Sequence, residues 1–212
     1  IWISKQKEEL LDKKMWEPLL ILGATVVISL SGVMMPGPVT AGAIAKGAKD
    51  KKAGIKIAIG HAMVEFPIIA LVALGLTFIA SWEAKAVIGV FGGILLLYFG
   101  YQLFKPIEED EEHFPYSPTI VGVVTSAANP YFFVWWATVG AALITRALQY
   151  GVLFLVIFSI VHWSCDLMWD SFLTYSSHST LDYWKKHRRK VFAVCGGIMI
   201  IFGIWFIVSP FM

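Results

Sequence analysis

The chain has 212 residues, of which 58% are hydrophobic and only 15% charged, with a mean hydropathy of +0.71 and a formal net charge of +2. Soluble domains run at about 45–50% apolar and about 25% charged residues, so this composition excludes a soluble domain and predicts an integral membrane protein. The net charge is too small, and the basic residues too confined to loops of the kind that meet lipid head groups, for a nucleic-acid partner.

At roughly 20 residues per helix there is room for about six spans in one membrane domain, 1–212, with little left for a soluble unit. After a mixed-charge stretch, Ser4 to Lys14, the first span is expected from about Met15 to Met35, ending in Met34-Met35-Pro36-Gly37-Pro38. Two prolines around a glycine remove two backbone donors, so the helix must stop, kink or re-enter there. The segment lacks the small-residue cleavage site of a signal peptide and reads as a true span. Val39 to Asp50, rich in alanine and glycine, predicts a short half-helix leading to a turn with Lys49, Lys51 and Lys52.

A second span, about Gly54 to Ala80, carries His61, Glu65 and Pro67. The third, about Ala84 to Phe104, has Gly89 and Gly93 at the spacing that favours close helix packing. The acidic run Glu108 to Glu112 then falls in a connection, 106–118, that reads as a solvated loop. The fourth span, about Thr119 to Thr145, is interrupted at Asn129-Pro130, and its following aromatics, Tyr131, Phe132, Phe133, Trp135 and Trp136, read as lipid-facing or interfacial. The fifth, about Gln149 to Ser176, contains His162, Asp166 and Asp170; a basic loop, Lys185 to Lys190, precedes the sixth, Val191 to Met212. Cys165 and Cys195 both fall in apolar helices, where small buried hydrophobes are expected rather than a disulfide.

His61 and Glu65, and again His162 and Asp166, place a histidine and a carboxylate four residues apart within a span. An ionisable group near the bilayer centre costs upwards of roughly 2.5 kcal/mol, so it faces a partner or an aqueous path. One such i,i+4 pair can simply neutralise itself. Two equivalent pairs point to transport, with His61, Glu65, His162 and Asp166 as substrate-binding or proton-coupling groups. Asp170, one turn beyond Asp166, belongs either to that set or to the head-group level. No enzyme is expected: Ser164, Cys165 and Asp166 beside His162 share one helix and cannot converge as a triad.

The two halves match. Pro36-Gly37-Pro38 corresponds to Asn129-Pro130, His61-x-x-x-Glu65 to His162-x-x-x-Asp166, and Phe91-Gly92-Gly93-Ile94 to Cys195-Gly196-Gly197-Ile198. His61 precedes Gly92 by 31 residues and His162 precedes Gly196 by 34. A duplicated unit with three spans must insert upside down relative to its copy, so the expected fold is an all-α 3+3 inverted repeat (1–105 and 119–212) with broken helices 1 and 4. In that topology eleven Lys and Arg fall on the side of the loops after spans one, three and five and six on the other, which puts both termini outside.

The proline-glycine-proline break, the small-residue and lysine stretch to Gly54, Ala58-Ile59-Gly60-His61-Ala62 with Glu65, and Asn129-Pro130 together resemble the lysine exporter (LysE) family of amino-acid efflux proteins. The resemblance covers nearly the whole chain. It implies a multi-pass inner-membrane carrier that expels lysine, arginine or other small amino acids, driven by protons or membrane potential, with a homodimer left open and no cofactor. The breaks at Pro36, Gly37, Pro38, Asn129 and Pro130 would expose helix ends to a substrate carboxylate while the acids meet its ammonium. The alternative is a divalent heavy-metal exporter of the same broad superfamily, with His61, Glu65, His162, Asp166 and Cys165 as ligands. A non-transporting scaffold would leave the paired carboxylates without a purpose.

Overall fold

In a computed structural model, residues 2–35, 37–75, 82–104 and 116–211 are described, and all the regular structure among them is helical. Helix α1 (Trp2–Val33) stops before the proline-glycine-proline sequence, and α2 (Pro38–Gly47) restarts the chain. Pro36 lies outside the described residues. Gly37 caps α2 in an extended conformation with no side-chain acceptor, and Pro38 suits the first helical position because its missing donor would be unpaired there anyway. A basic turn leads to α3 (Ala53–Ala73), which runs unbroken through Pro67 and ends at Leu74, followed by Gly75 at φ +77°. The second span is therefore shorter than expected, with a left-handed glycine at its end. Helix α4 (Trp82–Phe104) follows. The acidic run lies outside the described residues.

The fourth span is broken as expected. Ser117 caps α5 (Pro118–Ala127), and Asn129 caps α6 (Pro130–Trp135) by accepting from the Tyr131 N–H at 3.0 Å. A π-helical turn, Trp136–Gly140, joins α6 to α7 (Ala141–Leu148). Gly151, at φ +93°, separates α7 from α8 (Val152–Ser179). Helix α9 (Leu181–Val208) then runs into a 3-10 turn, Ser209–Phe211.

One expectation is corrected: Lys185 to Lys190 lies within the first part of α9 and not in a loop. The mixed-charge stretch Ser4 to Lys14 is part of α1. Lys, Arg and Glu are good helix formers, and charge marks a segment as solvated without marking it as a loop. Five helical stretches are long and apolar enough to cross a bilayer among the described residues: Trp16–Val33, Ala53–Ala73, Pro130–Leu148, Val152–Ser179 and Ala193–Phe211. The described apolar stretch of α4, Gly89–Phe104, is shorter, as is α5.

Helix α3 packs against α8 and α5, α8 also packs against α1 and α2, and α4 packs extensively against α9. Glycines set these close approaches. A Cβ on Gly60 or Gly122 would collide with the facing backbone carbonyl of Thr119 or Ile57 between α3 and α5. A Cβ on Gly54 would strike the Asp170 carbonyl between α3 and α8. Backbone contact of this kind is how membrane helices gain packing where no hydrophobic drive separates protein from lipid.

Candidate functional site

The packing of α3 against α8 brings the two histidine–carboxylate pairs together. His61 and Glu65 sit one turn apart on α3, and His162, Asp166 and Asp170 occupy successive turns of α8. All five are buried, Glu65 completely. One Glu65 oxygen, Oε1, lies 3.2 Å from His61 Nε2 and 3.1 Å from His162 Nε2, so a single carboxylate joins the rings of both helices. Asp166 is more loosely held, its Oδ1 3.7 Å from His61 Nε2 and its Oδ2 4.0 Å from His162 Nε2. Glu65 Oε2 and Asp166 Oδ2 are buried without a hydrogen-bond partner among the described residues. A buried unpaired carboxylate oxygen is expensive, and functional sites are where such groups persist.

The outward nitrogens of the two rings are tied symmetrically. His61 Nδ1 meets Ser126 Oγ of α5 at 2.6 Å, and His162 Nδ1 meets Ser29 Oγ of α1 at 2.6 Å. Each serine stands shortly before a helix break, Ser29 before Gly37-Pro38 and Ser126 before Asn129-Pro130. Both escape a reading of the sequence, because a serine inside an apolar helix is unremarkable until its partner is known. The only available signal was that both halves place one ahead of the break.

Aromatic rings surround the histidines. Phe132 meets His61 edge-on at 5.2 Å between centroids, and Trp135, Trp136 and Phe158 surround His162 at 5.2, 4.8 and 6.3 Å. Phe132, Trp135 and Trp136 therefore face inward, against the expectation of a lipid-facing run. The π turn that begins at Trp136 changes the helical register there, as π turns commonly do at functional sites.

A cavity of about 500 Å³ opens beside the cluster. His61, Glu65, His162, Asp166 and Asp170 all line it, as do Ser29, Gly37, Pro38, Val39, Thr40 and Asn129 from the breaks and Phe132, Trp135, Tyr131, Phe202 and Trp205 from the aromatic side. Asp170 thus lines the same cavity as the two histidine–carboxylate pairs. Pro130 is buried at the start of α6 but does not line the space. Cys165 also lies outside the lining; its thiol donates to the Val161 carbonyl at 3.5 Å, and both cysteines are free. Every charged group in the lining is acidic or a histidine, a composition that draws cations. His61, Glu65 and Asp166 offer ligand atoms within 4.8 Å of one another, while His162 and Cys165 fall outside that group.

Apolar helices long enough to span lipid, buried ionisable groups where they pack and a cavity between broken helices define a multi-pass membrane carrier of small molecules. The family model of the LysE type translocator matches residues 30–209, and the chain belongs to that family. It is accordingly an efflux transporter of amino acids or related substrates, not an enzyme. No curated protein and no solved structure matches the chain.

Proposed function

We propose that this protein exports amino acids across the inner cell membrane in exchange for protons or driven by the membrane potential, with lysine and arginine ranked above neutral amino acids. The observation that carries the reading is the convergence of Glu65, Asp166 and Asp170 on one cavity that, among the described residues, is lined by no lysine or arginine. With all three acids ionised, the lining carries more negative than positive charge whatever the state of the two histidines, which suits a cargo of net positive charge. The unpaired oxygens of Glu65 and Asp166 are acceptors for its ammonium groups. Val39 and Thr40, in the first turn of α2 where backbone N–H groups have no helical partner, line the same cavity, and such a helix start suits its carboxylate.

The crossed pairing of His61 with Ser126 and of His162 with Ser29 supports the 3+3 inverted repeat, because each half supplies the serine that binds the other half's histidine. Glu65→Gln and Asp166→Asn should each lower efflux from reconstituted vesicles roughly tenfold or more, since a hydrogen bond to a charged group contributes about 1.5–3 kcal/mol. Full activity in both variants, with the protein in the membrane, would overturn the mechanism.

A divalent-metal exporter ranks second, on the proximity of the His61, Glu65 and Asp166 ligand atoms. Against it, both His61 nitrogens are already engaged, by Ser126 and Glu65, and no thiolate lines the cavity. Zinc or cadmium is therefore expected to leave the melting temperature of the purified protein unchanged, whereas lysine raises it; the opposite pattern would reverse the ranking.

A further inference from the structure

The hydrogen bonds around the two histidines are alike in length but not in direction. Ser126 Oγ lies 2.7 Å from the Gly122 carbonyl and 2.6 Å from His61 Nδ1, and it has one proton to give. A carbonyl only accepts. Both contacts are hydrogen bonds together only if the hydroxyl donates to Gly122 and Nδ1–H donates to the hydroxyl, which places a proton on Nδ1. Nε2 of the same ring, 3.2 Å from Glu65 Oε1, then leaves two arrangements: a cationic ring donating to the carboxylate, or a neutral ring accepting from a protonated Glu65. In both, the pair holds one exchangeable proton. Without it, lone pairs on Nε2 and Oε1 would face each other.

His162 is under no such constraint. Among the described residues Ser29 Oγ has no acceptor besides His162 Nδ1, so that ring is free to stay neutral, taking the Ser29 proton on Nδ1 and donating Nε2–H to Glu65. Asp166 stands apart from the chain of bonds that runs Ser126, His61, Glu65, His162, Ser29. Its Oδ1 is 3.7 Å from His61 Nε2, and its Oδ2 has no hydrogen-bond partner.

We propose that the Ser126–His61–Glu65 unit carries the transported proton, that Asp166 receives the cargo's cation, and that the two sites cannot be filled together. This rests on the cavity being the cargo site of an amino-acid exporter, as argued above. A cargo ammonium bound to Asp166 would compete with the proton of the His61–Glu65 pair for the same negative charge, since Asp166 Oδ1 lies 3.7 Å from His61 Nε2, and in a lining of low polarity each cation weakens the hold on the other. Arrival of the cation therefore expels the proton: the N–H or O–H bond shared by the pair breaks and the proton leaves to water on the side to which the cavity is open. One positive charge replaces another, and release of cargo on the far side lets the pair take up a proton there. Ser126 is a positioning residue, acting through His61. The other ionisable groups facing the unit are His162, Asp166, Asp170 and Cys165 from α8; α2 has only Lys46; and the facing parts of α1, α5, α6 and α9 supply hydroxyls and aromatic rings.

The test uses the full chain in proteoliposomes with labelled lysine as the probe, measured in two modes: accumulation driven by an imposed pH gradient, and lysine–lysine exchange at equal pH. Ser126→Ala should lose accumulation about tenfold while exchange stays within about twofold, Ser126→Thr should restore it, and Asp166→Asn should lose both. Ser29→Ala, at a cavity residue that holds His162, should lower both modes alike. Wild-type accumulation in Ser126→Ala, equal loss of both modes in that variant, or a selective loss of accumulation in Ser29→Ala would overturn the proposal. A wild-type protein that moves no lysine in either mode would sink the exporter reading and this proposal with it, whereas an active wild type with an unaffected Ser126→Ala sinks this one alone. If Ser126→Ala does not fold, nitrogen-15 NMR of histidine-labelled wild type decides: a bonded proton on His61 Nδ1 is expected, and a bare Nδ1 refutes the assignment.

Discussion

Trp136 is almost wholly buried and lies with its ring 4.8 Å from that of His162, so one side chain both fills the core and orients an ionisable group. Trp136→Ala should cost about 3–5 kcal/mol, the range for removing a large buried aromatic, and should lower the melting temperature of the purified protein. Trp136→Phe should cost less. A residue outside the spans illustrates the opposite limit. Asp50, in the turn between α2 and α3, accepts from Lys56 Nζ at 2.7 Å and from the Lys52 N–H at 2.8 Å, and the Lys56 hydrogen bond holds its carboxyl below the usual carboxylate range. A lowered value means that the contribution is present above about pH 4 and lost as pH falls through the folded-state value. The pair is part-exposed, so Asp50→Asn should lower stability by about 0–1 kcal/mol at pH 7, a difference that should vanish in acid; a difference that persists in acid would contradict the pairing.

At the scale of the helices, glycine and proline carry most of the information. Gly93 faces Gly203 and Gly100 faces Gly196 across α4 and α9, and an added Cβ would meet backbone at either contact. Gly93→Leu should therefore force the pair apart and destabilise by about 1–3 kcal/mol, read as a lower melting temperature or loss of folded protein in detergent. Wild-type stability in that variant would mean that the α4–α9 seam is looser than its backbone contacts require. The breaks make a second case. Gly37 leaves α2 without a side-chain cap beside the cavity, whereas Asn129 caps α6 through its own side chain. Asn129→Ala should cost about 0.5–2 kcal/mol of stability, a loss that Asn129→Ser should largely avoid.

For the molecule as a whole, the cluster is shared between helices remote in sequence, so its members are expected to act as a unit. Combining Glu65→Gln with Asp166→Asn should reduce transport by far less than the product of the two single effects, because groups within one network are not independent. Strict additivity would separate the two carboxylates into unrelated sites. The membrane class, the two helix breaks and the buried histidine–carboxylate pairs were legible from residue types and spacing alone, since hydropathy, missing backbone donors and the cost of charge in lipid are local properties of the chain. Helix ends were less legible: solvated charge in Lys185 to Lys190 is compatible with either loop or helix, and it was helix. What the tertiary structure alone decided is which side chains meet. That Glu65 joins both histidines, that Ser29 and Ser126 hold their far nitrogens, and that Trp135 and Trp136 face inward rather than toward lipid all depend on how α1, α3, α5 and α8 pack. Periodicity along one helix specifies a face, but not the neighbour that the face will find.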